Sequence, residues 1–248
     1  MNGIIHIGLA GARGRMGRAV STVLDEREGM VVACRFDRET APDLSRCDVV
    51  IDFTTAEASA ALAARVAEEG APALVVGSTG FSPEQRAVIA RAAEVAPVVL
   101  SGNFSLGVNM LIGLVEQAAR RLSSDWDIEI LETHHRRKLD APSGTALMLG
   151  EAAAEGRGKA LSDLRAAPRH GAEALREPGS IGFASLRAGG VVGEHSVIFA
   201  SEDEVLTLGH SARDRSLFAK GAVAAAAWVV GRPPGLYDMQ DVLGFRQA

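Results

Sequence analysis

Residues 132–146 read Glu-Thr-His-His-Arg-Arg-Lys-Leu-Asp-Ala-Pro-Ser-Gly-Thr-Ala, directly after an apolar run. This segment sets proton donors beside anion-binding groups. Ser143-Gly144-Thr145 reads as the opening of a helix, where hydroxyls and unpaired N–H groups can hold a carboxylate. In an extended chain His134 and His135 face opposite sides, so only one reaches a given site unless the strand has ended. Lys138 lies three residues past His135 and can converge with it across a turn. A lysine and a carboxylate cradle suit a dicarboxylic or imine-bearing substrate, with His134 or Lys138 giving the proton that accompanies hydride delivery.

Taken alone, His-His-Arg-Arg-Lys would be a solvated basic loop before a capped helix. The continuation Asp140-Ala-Pro-Ser-Gly-Thr argues against that, because it places anion donors next to the acids. Adjacent histidines rarely ligate one zinc, and neither a nearby cysteine nor HExxH supports a metal, so none is expected. His195, in Gly-Val-Val-Gly-Glu-His, and His210 read as structural rather than catalytic, although the sequence does not decide it.

A second group of residues opens the chain. Gly11-Ala-Arg-Gly14-Arg-Met-Gly17 follows a short apolar strand. Glycines at a strand-to-helix turn let the backbone approach a pyrophosphate, whose charge the helix start can bind. The spacing is not a strict GxGxxG, and a tight turn with close helix–strand packing is the plain alternative. Arg15 and Arg18 beside the turn, and Asp37 about 20 residues on at a strand end, favour a dinucleotide, with the acid on the adenosine ribose. Arg38 can pair with a 2′-phosphate, so NADH and NADPH both fit. A P-loop is excluded because no Gly-Lys-Ser/Thr occurs. Two more strand ends, Gly77-Ser78-Thr79-Gly80-Phe81 and Ser101-Gly102-Asn103-Phe104, carry small polar loops. Each alone is an ordinary turn; three at one sheet edge indicate a shared ligand.

The elements that must position these residues alternate first. Strands are expected at 4–9, 31–36, 48–53, 73–76 and 98–100, with helices at 15–24, 57–69 and after Ser82, where Ser82, Pro83 and Gln85 form a helix start. Near-continuous apolar strands separated by helices mean a parallel sheet covered on both faces. After Ser105 the pattern changes: a long apolar helix 107–122, a strand 127–131, a helix 146–155, a loop 156–179, strand-like runs 181–186, 193–200 and 205–209 in an antiparallel or mixed arrangement, a helix 218–230 and a tail 235–245. The change near Ser105 is the one boundary visible in the pattern.

Composition sets the limits. The 248 residues carry a net charge of -5 and are 47% hydrophobic, which disfavours bulk attraction to nucleic acid or anionic membrane. Cys34 and Cys47, without CxxC spacing, suggest neither a disulfide framework nor a thiolate zinc site. No apolar run reaches membrane-spanning length, and the first residues lack a secretion signal, so a cytoplasmic protein is expected.

Together, Gly-Ala-Arg-Gly-Arg-Met-Gly at 11–17, Asp52-Phe-Thr, Gly77-Ser-Thr-Gly-Phe, Asn103-Phe-Ser-Leu-Gly-Val-Asn, the 132–146 block, Val191-Val-Gly-Glu-His and Tyr237-Asp-Met-Gln-Asp-Val-Leu-Gly resemble the 4-hydroxy-tetrahydrodipicolinate reductase family, formerly called dihydrodipicolinate reductase. The resemblance runs from the first strand to the tail in order. It implies an α/β fold: a Rossmann-like doubly wound parallel sheet, residues 1–105 plus 216–248, with an inserted α+β domain, 106–215, whose mixed sheet binds substrate and builds a homotetramer. It implies reduction of a small dicarboxylate with NADH or NADPH in lysine and diaminopimelate biosynthesis. By motif, His134 would give or take the proton and Lys138 would donate one. His135, Ser143, Gly144 and Thr145 would bind substrate carboxylate. Gly11, Ala12, Arg13, Gly14, Arg15, Met16, Asp37, Gly77, Ser78, Thr79, Ser101, Gly102, Asn103 and Phe104 would hold the cofactor, and Arg38 the NADP phosphate. The segment between Arg38 and Asp48 is shorter than in many members, and Ser78 stands where Thr is common. The rival readings are an oxidoreductase for a sugar or semialdehyde, which the carboxylate cradle disfavours, and a dinucleotide sensor with a degenerate site, which the intact His134, Lys138 and Thr145 disfavour.

Overall fold

A computed structural model describes residues 3–37, 43–172 and 174–246. The chain divides into two compact units, residues 1–106 with 216–248, and residues 107–215. In chain order, β1 (Ile5–Ala10), α1 (Arg15–Asp25), β2 (Met30–Phe36), β3 (Val49–Asp52), α2 (Ala56–Glu69), β4 (Ala73–Val76), α3 (Pro83–Ala93) and β5 (Pro97–Leu100) come first. Then follow α4 (Leu106–Arg121), β6 (Asp127–His134), α5 (Gly144–Gly156), α6 (Leu161–Leu164), β7 (Ile181–Arg187), β8 (Gly193–Ala200) and β9 (Val205–Ala212). The chain ends with α7 (Ser216–Val229), β10 (Gly235–Tyr237) and α8 (Met239–Val242).

The first unit is a six-stranded sheet in the order β10-β5-β4-β3-β1-β2, parallel throughout. Its middle strands are sealed on both sides; Val49, Val50 and Ile51 are fully buried. Alternate residues serve separate cores. Val49 and Ile51 pack with Val20 of α1 and the alanines of α7, whereas Val50 packs with Leu62 and Val66 of α2 and Ile89 of α3. This is the doubly wound, Rossmann-like arrangement expected from near-continuous apolar strands. α7 approaches very closely: a Cβ on Gly221 would lie 1.6 Å from the Phe104 carbonyl oxygen. α3 begins with the anticipated capping box, in which Ser82 N donates to Gln85 Oε1 and Gln85 N to Ser82 Oγ. The direction of strand addition reverses between β1 and β3, so ligands are expected beyond the carboxyl ends of these strands.

The second unit is a four-stranded mixed sheet, β7-β6-β8-β9, with β7 parallel and β8 antiparallel to β6. Its core joins Val108, Leu111, Ile112 and Val115 of α4, Leu149 and Ala153 of α5, and Ile128, Ile130, Ile181, Val197 and Phe199 of the sheet. Among the described residues, no helix is long and apolar enough to cross a membrane.

Two expectations need correction. The tail 235–245 contains β10, which pairs with β5 as a sixth parallel strand, and the capped α8. Three residues are too few to show any periodicity. The loop 156–179 holds α6 and a parallel bridge from Arg165 to Ile181.

Candidate active site

β6 alternates covered and half-covered residues along its whole length. Ile128 and Ile130 belong to the core, so the same face next presents Glu132 and His134. Strand register extends this row sideways: Ser185 on β7 and His195 on β8 lie opposite Glu132, and His210 on β9 lies opposite His195.

Glu132 is the hub. It is 1% exposed, and Arg187 clamps it with two hydrogen bonds, Nη1 to Oε2 at 2.9 Å and Nη2 to Oε1 at 2.8 Å. Ser143 N donates to Oε1 at 3.3 Å, and His134 Nδ1 bonds Oε2. Burial is the largest single influence on this carboxyl and opposes ionisation; donation from Arg187, Ser185 and His134 together outweighs it and holds the group at about 2. Glu132 is therefore a buried carboxylate at neutral pH.

His195 packs edge-on against His134, ring centroids 5.1 Å apart, with its Nε2 3.2 Å from Ser143 Oγ. Burial, then the neighbouring His134, pushes the His195 imidazole down to about 4, so it is neutral at pH 7. Ser143 Oγ also accepts from Ala146 N and caps α5. The first N–H groups of such a helix have no intrahelical partner, and Gly144 is exposed at that point. A Cβ there would meet nothing within 4 Å, so internal packing does not demand a glycine; the space is open to a ligand.

Beyond β6 the chain turns, Lys138 N donating to His135 O at 3.0 Å. Lys138 Nζ grips both oxygens of Asp140 at 2.8 and 2.9 Å, and the lysine's hydrogen bond holds the Asp140 carboxyl below the usual range. Arg187 Nη2 reaches the Asp140 carbonyl at 2.6 Å, tying this turn to the Glu132 hub. His135 is half-buried, its Nδ1 enclosed without a hydrogen-bond partner.

The first unit carries the other group. Gly11 adopts φ +62°, and Gly14 N donates to its carbonyl at 2.9 Å, forming the turn into α1. A Cβ on Gly17 would lie 2.3 Å from Gly11 O, so only glycine lets helix and loop meet so closely. No side chain caps α1 at Gly14, which leaves its N-terminus to a ligand. A cleft of about 560 Å³ opens here, lined among others by Gly11, Arg13, Asp37, Asp52, Thr54 and Arg65. Arg13 Nε lies 3.2 Å from Asp37 Oδ2. Asp52 Oδ1 accepts from Thr54 N and Oγ1, while its buried Oδ2 has no partner. A donor-poor carboxylate beside a glycine turn and a second acid fits a dinucleotide.

In the other loops several side chains turn inward, while Thr79 stays exposed and Asn103 half-buried. Ser78 is buried against Ser59, Oγ to Oγ at 2.7 Å, and Ser101 Oγ donates to Asn103 O. Phe104 is 1% exposed and meets Phe53 edge-on; Met16 packs against the same core. Gly77 is held flat to the Phe53 ring, which a Cβ would strike at 2.1 Å. Gly102 faces Thr79, the nearest atom to an added Cβ being Thr79 Cγ2 at 3.9 Å, so these two loops adjoin. Ala12 and Thr79 lie in loops and Arg15 opens α1, whereas Arg38 falls outside the described residues.

Glu132 and Asp52 stand in the quoted motifs without an assigned role, Arg187 carries no local signal, and His195 reads as structural rather than catalytic without the sequence deciding it. Glu132 was detectable, because a strand reaching His134 puts both on one face. Arg187 and His195 needed the sheet register, which nothing local encodes.

Residues 5–104 match the family description "Dihydrodipicolinate reductase, N-terminus" and residues 107–243 match "Dihydrodipicolinate reductase, C-terminus". The chain belongs to the dihydrodipicolinate reductase family. A 4-hydroxy-tetrahydrodipicolinate reductase of Caulobacter vibrioides is 59% identical, covering 98% of each chain. The reductase of that name from Parvibaculum lavamentivorans is 47% identical over 98% of this chain and 99% of its own. Among solved structures, the dipicolinate-bound dihydrodipicolinate reductase of Paenisporosarcina sp. TG-14 superposes with a TM-score of 0.77 at 24% identity, covering 95% and 97% of the two chains, a likeness of fold. In this chain the stretch matching the C-terminus description crosses the spatial division, since residues 216–243 return to the first unit.

Proposed function

We propose that this chain reduces 4-hydroxy-tetrahydrodipicolinate to tetrahydrodipicolinate with loss of water, as an NAD(P)H-dependent oxidoreductase of lysine and diaminopimelate biosynthesis. The bound dinucleotide supplies the hydride. The balance consumes one proton and releases one water, so the protein must hold and move a proton at the substrate.

His134 and Lys138 are the groups for that proton. His135, Ser143, Gly144 and Thr145 receive a substrate carboxylate at the start of α5, where helix dipole and N–H donors favour an anion. The turn residues 11–16 and Asp37, with the 77–79 and 101–104 backbones, hold the dinucleotide, and Arg38 takes the 2′-phosphate of NADPH. Asp52, with its unpartnered Oδ2, adds an acceptor to the same cleft. The observation that carries this reading is the joint placement of His134, the His135–Lys138 turn and the open Ser143–Thr145 helix start at one end of β6, in a chain matching its family throughout.

The protein works in the cytoplasm, where reduced dinucleotides are made, as a homotetramer. The sheet face of the second unit opposite its helices carries Leu131, Ala184, Leu186, Ile198 and Val205, with Leu186 52% and Val205 64% exposed. Glu129, Thr133, Ser196 and Thr207 share this face, and the exposed apolar side chains among them support symmetric assembly. Lys138→Ala tests the reading of the site: turnover is expected to fall at least a hundredfold while NADH still binds with native affinity. Undiminished turnover would remove Lys138 from its role.

A further inference from the structure

We infer that Glu132 is a positioning residue that, clamped by Arg187, holds His134 with its proton on Nδ1 and leaves Nε2 as the nitrogen that exchanges protons with substrate. The inference rests on the proposed role of His134 and names the group that makes it directional.

A neutral imidazole carries its proton on either nitrogen, and the partner of one nitrogen decides which. Here Nδ1 meets an acceptor already engaged by other donors: Arg187 and Ser143 N on Oε1, Arg187 again on Oε2, and the Ser185 hydroxyl. An ionised carboxylate accepts only, so the shared proton belongs to Nδ1. With both oxygens occupied and Arg187 balancing its charge, Glu132 orients the ring without taking the proton itself. A buried acid plays this part for a catalytic imidazole in other folds.

Nε2 then lies over Gly193, where a Cβ would come within 3.0 Å of it, so glycine keeps that nitrogen clear. The second imidazole does not compete, because His195 Nε2 is turned to Ser143 Oγ. One carboxylate thus fixes three parts of the site. It aims His134, anchors Ser143 N at the start of the carboxylate cradle and, through Arg187, holds the Asp140 carbonyl beside the Lys138 turn. A purely structural ion pair would need only Arg187, and buried ion pairs are weak contributors to stability.

The other titratable and charged groups around His134 are Arg187 on β7, His195 on β8 with His210 beyond it on β9, and Lys138 with Asp140 in the turn, the two imidazoles being neutral above pH 8. The test is ¹⁵N NMR of histidine-labelled protein above pH 8, His134 assigned from the resonance lost in His134→Asn. The wild type is expected to show His134 protonated at Nδ1 and bare at Nε2. Glu132→Gln is expected to lose that preference and to drop kcat roughly a hundredfold or more with little change in KM. Wild-type His134 protonated at Nε2 would overturn the inference without any variant. So would a folded Glu132→Gln protein with unchanged tautomer or kcat within threefold. Wild-type protein with the Nδ1–H tautomer but no turnover of hydroxytetrahydrodipicolinate would instead defeat the assigned reaction.

Discussion

His195 makes the folded protein acid-sensitive by an amount the structure specifies. Its imidazole is 4% exposed and is pushed from 6.5 down to about 4 by burial first and by His134 next. The unfolded chain takes up this proton below pH 6.5, whereas the folded chain does so only near pH 4. Unfolding therefore binds a proton across that window, and stability falls as pH falls through it. At 1.36 kcal/mol per unit, lowering the pH from 7.5 to 5.0 costs about 2 kcal/mol through this group alone. The acid measurement stops at pH 5.0, above the ordinary 4.5 of Glu132, whose folded-state value of about 2 adds its own loss mainly at lower pH. Urea unfolding at the two pH values measures the cost. Trp126 belongs to the second unit and Trp228 to the first, so fluorescence in a Trp228→Phe background follows the unit that holds His195. Wild type should lose about 2 kcal/mol more than His195→Gln on acidification; His210, whose burial lowers it too, is present in both and cancels. Equal losses would show that His195 titrates normally, and the argument from its burial would fail.

Two glycines separate packing from binding. Gly144→Ala adds a methyl where nothing lies within 4 Å, so the melting temperature should hold while KM for substrate rises roughly tenfold by obstruction of the carboxylate cradle; an unchanged KM would place the substrate elsewhere. Gly17→Ala drives a methyl to 2.3 Å from Gly11 O and 2.7 Å from Ala12 Cα, backbone atoms that cannot step aside. It should cost about 1–3 kcal/mol in thermal unfolding and weaken NADH at least tenfold in a fluorescence titration; native affinity would mean that the 11–17 turn does not hold the dinucleotide.

The first sheet was legible because buried parallel strands are continuous apolar runs and α3 carries a clear capping box at Ser82 and Gln85. β10 was not, because Gly235–Tyr237 owes its strand to an open edge on β5 rather than to any pattern of its own. The site divided in the same way. His134, Lys138 and Ser143–Thr145 are neighbours in sequence and announced themselves by type and spacing. The carboxylate hub joins residues 55 positions apart, Glu132 and Arg187, through the register of β6 with β7, so its chemistry was hidden until the sheet was laid out. Side-chain direction was equally hidden: Ser78 and Phe104 occupy cofactor-loop positions, yet their side chains point into the unit.

The central claim is the reaction itself. It is tested most directly by following NADH or NADPH absorbance with hydroxytetrahydrodipicolinate generated in place from pyruvate and aspartate semialdehyde by the synthase. Rapid dinucleotide oxidation that needs both precursors and disappears in Lys138→Ala is expected. Dinucleotide that binds but is not oxidised under these conditions would contradict it.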